Sequence, residues 1–81
     1  MHLRIRLFAR LREIAGAAEL VRDVPGDATA RAVWDALVNE FPELRAYGAS
    51  TSVAVNEEYA RMTDAVKDGD DIAFLPPVSG G

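Results

Sequence analysis

The chain has 81 residues, no cysteine, 49% hydrophobic residues and a net charge of −4. A domain of this size buries only about 60–65% of its unfolded surface, so we expect it to act through a surface, a tail or an interface, not an enclosed active site. The lack of cysteine excludes disulfides and a thiol nucleophile, the acidic balance disfavours nucleic acid, and no apolar run approaches the roughly 18 residues of a membrane span.

The first predicted strand runs from His2 to Ala9, where apolar and polar residues alternate. This alternation predicts a strand with one buried face. The apolar face carries Leu3, Ile5 and Leu7, and the opposite face carries Arg4, Arg6 and Phe8. Because arginines interrupt the apolar residues, the segment does not resemble a signal peptide, and we expect a cytoplasmic protein that binds no membrane.

A short helix and a second strand are predicted next. Apolar residues at helical spacing indicate a helix over Arg10–Ala15, which Gly16 ends. The second strand covers Glu19–Val24, and its buried face is ambiguous because Leu20 and Val21 are adjacent. We expect the two strands to pair as a hairpin.

The main helix begins after Thr29, whose hydroxyl can accept a hydrogen bond from a first-turn amide. It ends or bends at Pro42. Its apolar residues follow the spacing of an amphipathic helix, and they are Ala30, Val33, Trp34, Leu37, Val38 and Phe41. Such an apolar stripe must be buried, and we expect it to pack against a sheet.

The second half of the chain adds a polar loop and shorter strands. In order, these are the loop at 47–51, a strand around Val53 and Val55, a turn at Asn56–Glu57 into 58–60, a turn at Asp68–Gly69, and a last strand over Asp71–Leu75 with Ile72 and Phe74 inward. One helix packed on one face of a mixed sheet predicts an α+β fold of the β-grasp (ubiquitin-like) type. We assign residues 1–75 to this domain and 76–81 to an extended tail.

Charged residues are unevenly distributed along the chain. Arg4, Arg6, Arg10 and Arg12 precede the first acid, whereas the C-terminal third carries Asp64, Asp68, Asp70 and Asp71. Two interpretations of this distribution stay open. Either the charged residues simply form solvated faces, or they complement the charge of a partner. The aspartate cluster lacks the closing glutamate of a calcium loop, so we predict a solvated turn and no metal site.

The tail offers the most specific functional signal. Pro76 and Pro77 end the last strand and favour an extended path, and Gly80 and Gly81 have no side chains, so they fit a narrow slot. Residues 76–81 span about 20 Å when extended. We expect Gly81 to carry the chemistry on its carboxylate while a partner's pocket receives Pro77, Val78, Ser79 and Gly80. A frayed end without a role is the alternative.

Three apolar residues lie out of phase with the core pattern, namely Phe8, Tyr59 and Leu75. If the first and last strands are neighbours, Phe8 and Leu75 can be adjacent on the face away from the helix. Scattered exposed apolar residues are normal, but a cluster beside the tail would form a docking surface.

The chain resembles the small subunits of molybdopterin synthase, a family of ubiquitin-like sulfur carriers. The resemblance spans the whole length and is carried by Leu-Phe-Ala-Arg-Leu-Arg-Glu at 7–13, Val55–Asn56, Asp68–Asp70 and, most specifically, Ile72–Gly81. Sulfur carriers for thiamin synthesis share the fold and the Gly-Gly, but they are typically shorter and lack the Phe-Leu-Pro-Pro-Val-Ser ending.

This resemblance implies a sulfur carrier that is no enzyme on its own and binds no cofactor. An adenylyltransferase related to ubiquitin activators would use ATP to activate Gly81, which then becomes a thiocarboxylate. The tail would enter the synthase large subunit, in a heterotetramer of two small and two large subunits. By the same analogy Phe8, Tyr59 and Leu75 dock on the partner, although Tyr59 departs from the expected aliphatic residue.

Other functions stay open at this point. The same activated Gly81 would suit a carrier for thiamin or tRNA thiolation, or a ubiquitin-like modifier that acylates lysines of other proteins. A plain interaction domain with an incidental tail is a further alternative.

Overall fold

The computed structural model describes residues 1–77 as a five-stranded sheet with helices against it. The elements are β1 (His2–Leu7), α1 (Ala9–Ala15), β2 (Glu19–Asp23), α2 (Ala30–Glu40), a 3-10 helix (Pro42–Tyr47), β3 (Ser52–Val55), β4 (Glu58–Ala60) and β5 (Asp71–Leu75). The strand order is β2-β1-β5-β3-β4, with β1 and β5 parallel and the other pairs antiparallel. This topology confirms the predicted β-grasp fold, and no helix within 1–77 is long and apolar enough to cross a membrane.

The core lies between one face of the sheet and α2. The inward residues of β1 are at most 1% exposed, and Ile72 and Phe74 of β5 are completely buried, so the predicted alternation is confirmed. From α2, Trp34 packs on Phe74 with ring centroids 5.1 Å apart and planes tilted by 56°. The Thr29 side chain accepts a hydrogen bond from the Ala32 amide, which confirms the predicted N-cap.

Strand β1 ends two residues before the predicted boundary. Phe8 is the N-cap of α1, and its carbonyl accepts hydrogen bonds from the amides of Leu11 and Arg12. A carbonyl engaged by a helix cannot extend the strand ladder, so Ala9 belongs to α1 and not to β1. The predicted helix end is confirmed, because Gly16 adopts a left-handed conformation with φ of 74°.

The segment after α2 contains a 3-10 helix that the sequence pattern did not predict. Helix α2 ends at Glu40, Phe41 serves as its C-cap, and Pro42 begins the new turn. Leu44 within this turn is fully buried, and its amide donates to the Phe41 carbonyl. Helices of this type are short and carry too few residues to show a periodic pattern.

The aspartate side chains before β5 accept hydrogen bonds from backbone and side-chain N–H groups. The Asp68 carboxylate accepts from the His2 amide at 2.7 Å, and the Asp70 carboxylate accepts from the Lys67 amide at 2.7 Å and the Asn56 side chain at 3.0 Å. Within 1–77 no group of three or more His, Asp and Glu side chains is placed to hold a metal ion. The cluster therefore has a structural role as a set of turn caps.

An ion pair joins the edge strand β2 to the end of α2. Arg22 makes two contacts with the Glu40 carboxylate, one of them from Nε to Oε2 at 3.0 Å. Hydrogen bonding to Arg22 lowers the pKa of Glu40. Because the pKa of Glu40 is lower in the folded state, the ion pair stabilises the fold fully at pH values above the unfolded-state pKa. This stabilisation is lost as the pH falls through the folded-state pKa.

We expect Glu40→Gln to reduce the free energy of unfolding by about 0.2–1 kcal/mol at pH 7, the range of exposed ion pairs. The difference from the original protein should shrink once the pH falls below the ordinary glutamate pKa of about 4.3. Urea unfolding at pH 7 and pH 3 measures both values. Glu58→Gln, which removes an exposed carboxylate with no ion pair within 1–77, is the control; an equal loss there would contradict the assignment.

Candidate docking face

Within residues 1–77 the face of the sheet away from α2 is open. Side chains at directly paired positions point to the same face, and one such row crosses all five strands through Glu19, Arg6, Ala73, Ala54 and Tyr59. Small alanines occupy the middle of this row. The open face is therefore shallow and apolar at its centre, with charged residues on one side and an aromatic ring on the other.

Phe8 and Leu75 occupy neighbouring positions at one end of this face. Leu7 and Phe74 form the last β1–β5 pair; Phe8 follows β1 directly as the N-cap of α1, and Leu75 is the last residue of β5. Phe8 is 41% exposed, whereas Leu75 is half-buried and pairs with Ser52 of β3. The parallel pairing of the first and last strands thus satisfies the condition under which a docking cluster was expected.

Tyr59 lies apart from that end. It is 82% exposed on the short edge strand β4, opposite Ala54, and so two strands or about 10 Å from Ala73. The structure therefore places Tyr59 on the open face but at its border, not beside Phe8. The docking roles of all three residues stay predictions.

Charges on the open face are compensated within the chain. Arg4 Nε lies 2.8 Å from the Glu19 carboxylate, and an Arg6 nitrogen lies 2.9 Å from the Asp71 carboxylate. These pairs join β1 to both of its neighbouring strands. The arginines therefore do not form an uncompensated basic patch, which favours an apolar contact over one driven by opposite charge.

Val21 is an exposed apolar residue that sequence reasoning left unassigned. It is 61% exposed and pairs with Arg4, whereas the adjacent Leu20 pairs with the buried Ile5. The antiparallel register with β1 resolves the ambiguity, because it places Leu20 on the core side. The outward side chain of Arg4 was the available signal, but it could be used only once the register was known.

The root of the tail is described as far as Pro77. Pro76 is half-buried and Pro77 is exposed, directly after the buried Phe74 and half-buried Leu75. The predicted thiocarboxylate residue Gly81 and the predicted threading residues Val78, Ser79 and Gly80 lie outside the described residues. Their roles, and that of Pro77, stay predictions.

Comparison with known proteins gives matches over the full length. Residues 5–81 match the ThiS family. A molybdopterin synthase sulfur carrier subunit of Arabidopsis thaliana is 36% identical over 81 residues, which cover 100% of this chain and 84% of the relative. Small archaeal modifier protein 1 of Haloferax volcanii is 42% identical over 84 residues, covering 94% of this chain and 97% of the relative.

The fold is also shared with a solved relative. The crystal structure of SAMP1 from Haloferax volcanii matches with a TM-score of 0.87 and 39% identity, and the match covers 100% of both chains. A family match of this extent, together with the open face and the tail root described above, leads to one assignment. The chain belongs to the ThiS family and is a ubiquitin-like sulfur carrier of the molybdopterin synthase small-subunit type.

Proposed function

We propose that this carrier is the sulfur-donating subunit of molybdopterin synthase, in which two small and two large subunits assemble in the cytoplasm. The observation that carries the proposal is the full-length similarity to the Arabidopsis sulfur carrier subunit. Residues 72–81 add specific support, because they combine a buried strand, two prolines and the terminal glycines. The small subunit is no enzyme alone, and the large subunit supplies the reaction pocket.

The proposed chemistry takes place on Gly81. A carboxylate is a poor electrophile, so an adenylyltransferase related to ubiquitin activators first joins it to AMP from ATP, releasing pyrophosphate. The terminal sulfur of a persulfide attacks the acyl carbon and AMP leaves with the electrons of the broken C–O bond. A thiol then cleaves the acyl disulfide and leaves a thiocarboxylate. The carrier thus resembles other group carriers, which hold a reactive group that a separate enzyme uses.

Delivery requires the tail to enter the large subunit. Residues 76–81 reach about 20 Å when extended, and they leave the domain next to Phe8 and Leu75. A partner that binds these two side chains would receive the tail at a defined position and direction. In the proposed reaction, two such deliveries convert cyclic pyranopterin monophosphate into the dithiolene of molybdopterin.

A second candidate function is protein modification. It is favoured by the 42% identity to small archaeal modifier protein 1 and by the close match to the SAMP1 structure. A lysine amine of another protein and a persulfide can attack the same acyl adenylate, so one activation step would serve both functions. A carrier for thiamin or tRNA thiolation would also use this step.

Intact mass measurement distinguishes these functions. The protein is purified together with its adenylyltransferase, ATP and a sulfur donor, and an identical sample without ATP is the control. Replacement of oxygen by sulfur should add about 16 Da, and the loaded protein should make molybdopterin when the large subunit is added. Higher-mass conjugates without molybdopterin would favour the modifier, and an unchanged mass would contradict both functions.

A further inference from the structure

A groove lies beside α2, on the side of the molecule opposite the open face. It has a volume of about 640 Å³, within the roughly 300–1,000 Å³ typical of ligand sites. Helix α2 forms one wall, and the segment from Arg45 in the 3-10 helix to Thr51 before β3 forms the other. Its lining includes Arg31, Trp34, Asp35, Val38, Arg45 and Thr51.

Three side-chain hydrogen-bond donors that face the groove have no acceptor within residues 1–77. Within residues 1–77 neither Arg31 nor Arg45 forms an ion pair, and the Trp34 indole donates no hydrogen bond although the residue is only 3% exposed. A Cβ at Gly48 would lie 3.3 Å from the indole nitrogen, so a glycine keeps this edge of the ring open. Asp35 is the single acid among the groove residues.

This combination suits a small anionic group attached to a short apolar segment. Guanidinium groups bind carboxylates through charge-assisted hydrogen bonds, and an indole N–H adds a further donor. Val38 supplies apolar surface in the same groove. A ligand that matches the groove is therefore short, has small side chains and carries one negative charge at its end.

We propose that the groove binds the chain's own C-terminal segment Val78–Gly81, with the Gly81 carboxylate held by Arg31 and Arg45. Leu75 pairs with Ser52, and the residue before Ser52 is Thr51, which lines the groove. The tail therefore leaves β5 next to the groove. Residues 78–81 span about 13 Å when extended, a length comparable to the roughly 12 Å of helix between the groove residues Arg31 and Asn39.

The tether makes weak binding sufficient. A short flexible connection gives an effective concentration in the millimolar range, so even millimolar intrinsic affinity would keep the groove substantially occupied. In this state the groove holds the unmodified carboxylate until the activating partner receives the tail. The inference concerns the unmodified carboxylate, and it holds whichever acceptor finally takes the sulfur.

Trp34, the single tryptophan of the chain, is a direct reporter of occupancy. We expect its emission to differ between the full chain and a variant that ends at Pro77, at equal circular dichroism. Full-length Arg45→Gln and Arg31→Gln should each shift the emission towards that of the shortened variant. Arg12→Gln removes an exposed arginine outside the groove and should leave the full-length emission unchanged.

Peptide binding to the shortened variant tests recognition of the carboxylate. The peptide Val-Ser-Gly-Gly should restore the full-length emission, and its C-terminal amide should bind about tenfold more weakly because the charge is absent. Identical emission of the full and shortened chains would overturn the proposal. Equal binding of acid and amide would also overturn it, as would a full-length signal that depends on protein concentration, which would identify a second copy as the occupant.

Discussion

Deletion of Gly81 should abolish molybdopterin formation and leave the fold intact. Within residues 1–77 the buried hydrophobic residues lie between Leu3 and Phe74, Gly81 has no side chain to pack, and terminal segments generally tolerate truncation. The melting temperature should therefore stay within about 2 °C of the original value, since a change of 1 kcal/mol would shift it by roughly 4–8 °C. Product formation is measured with the large subunit and the activating system present.

Arg12→Gln, a change at an exposed residue of α1 outside the tail, is the control for this deletion. It keeps the length of the tail and the position of the carboxylate, and it should still be adenylylated and thiolated. Product formation by the Gly81 deletion at the original rate would rule out the proposed carrier chemistry. Loss of folding in the deletion would instead show that the tail contributes to the domain.

Phe74→Ala should reduce the free energy of unfolding more than Leu75→Ala does. Leu75→Ala should weaken binding to the partner more than Phe74→Ala does. Phe74 is completely buried against Trp34, and truncation of a core aromatic costs about 3–5 kcal/mol. Leu75 points to the opposite face and is only half-buried, so its truncation should cost less stability. As an interface anchor it should contribute about 2 kcal/mol to binding, or about a 30-fold change in the dissociation constant.

Urea unfolding and titration with the large subunit separate the two effects. Phe8→Ala should behave as Leu75→Ala, because the two residues follow the last β1–β5 pair. Val21→Ala is the control, since Val21 is exposed on the same sheet but on edge strand β2. If Leu75→Ala destabilises the fold as strongly as Phe74→Ala, or leaves binding unchanged, the docking assignment is wrong.

Local sequence patterns determined most of the secondary structure. Alternation in β1 and β5 and the helical spacing in α2 each record which side of an element is buried, because burial of one face imposes its own period. Thr29 and Gly16 marked a helix start and a helix end through capping geometry that depends only on neighbouring residues. The 3-10 helix escaped prediction because six residues with one buried side chain, Leu44, show no period.

The sequence by itself also pointed to the family and to Gly81, since the terminal residues are informative without any tertiary contact. Only the tertiary structure decided what lies next to the tail. The pairing of β1 with β5 brings Phe8 beside Leu75 across 67 positions of sequence, and the packing of α2 beside the Arg45–Thr51 segment forms a groove at the same end of β5. Such neighbours depend on strand register and helix placement, which are set by the packing of the whole core and not by any local pattern.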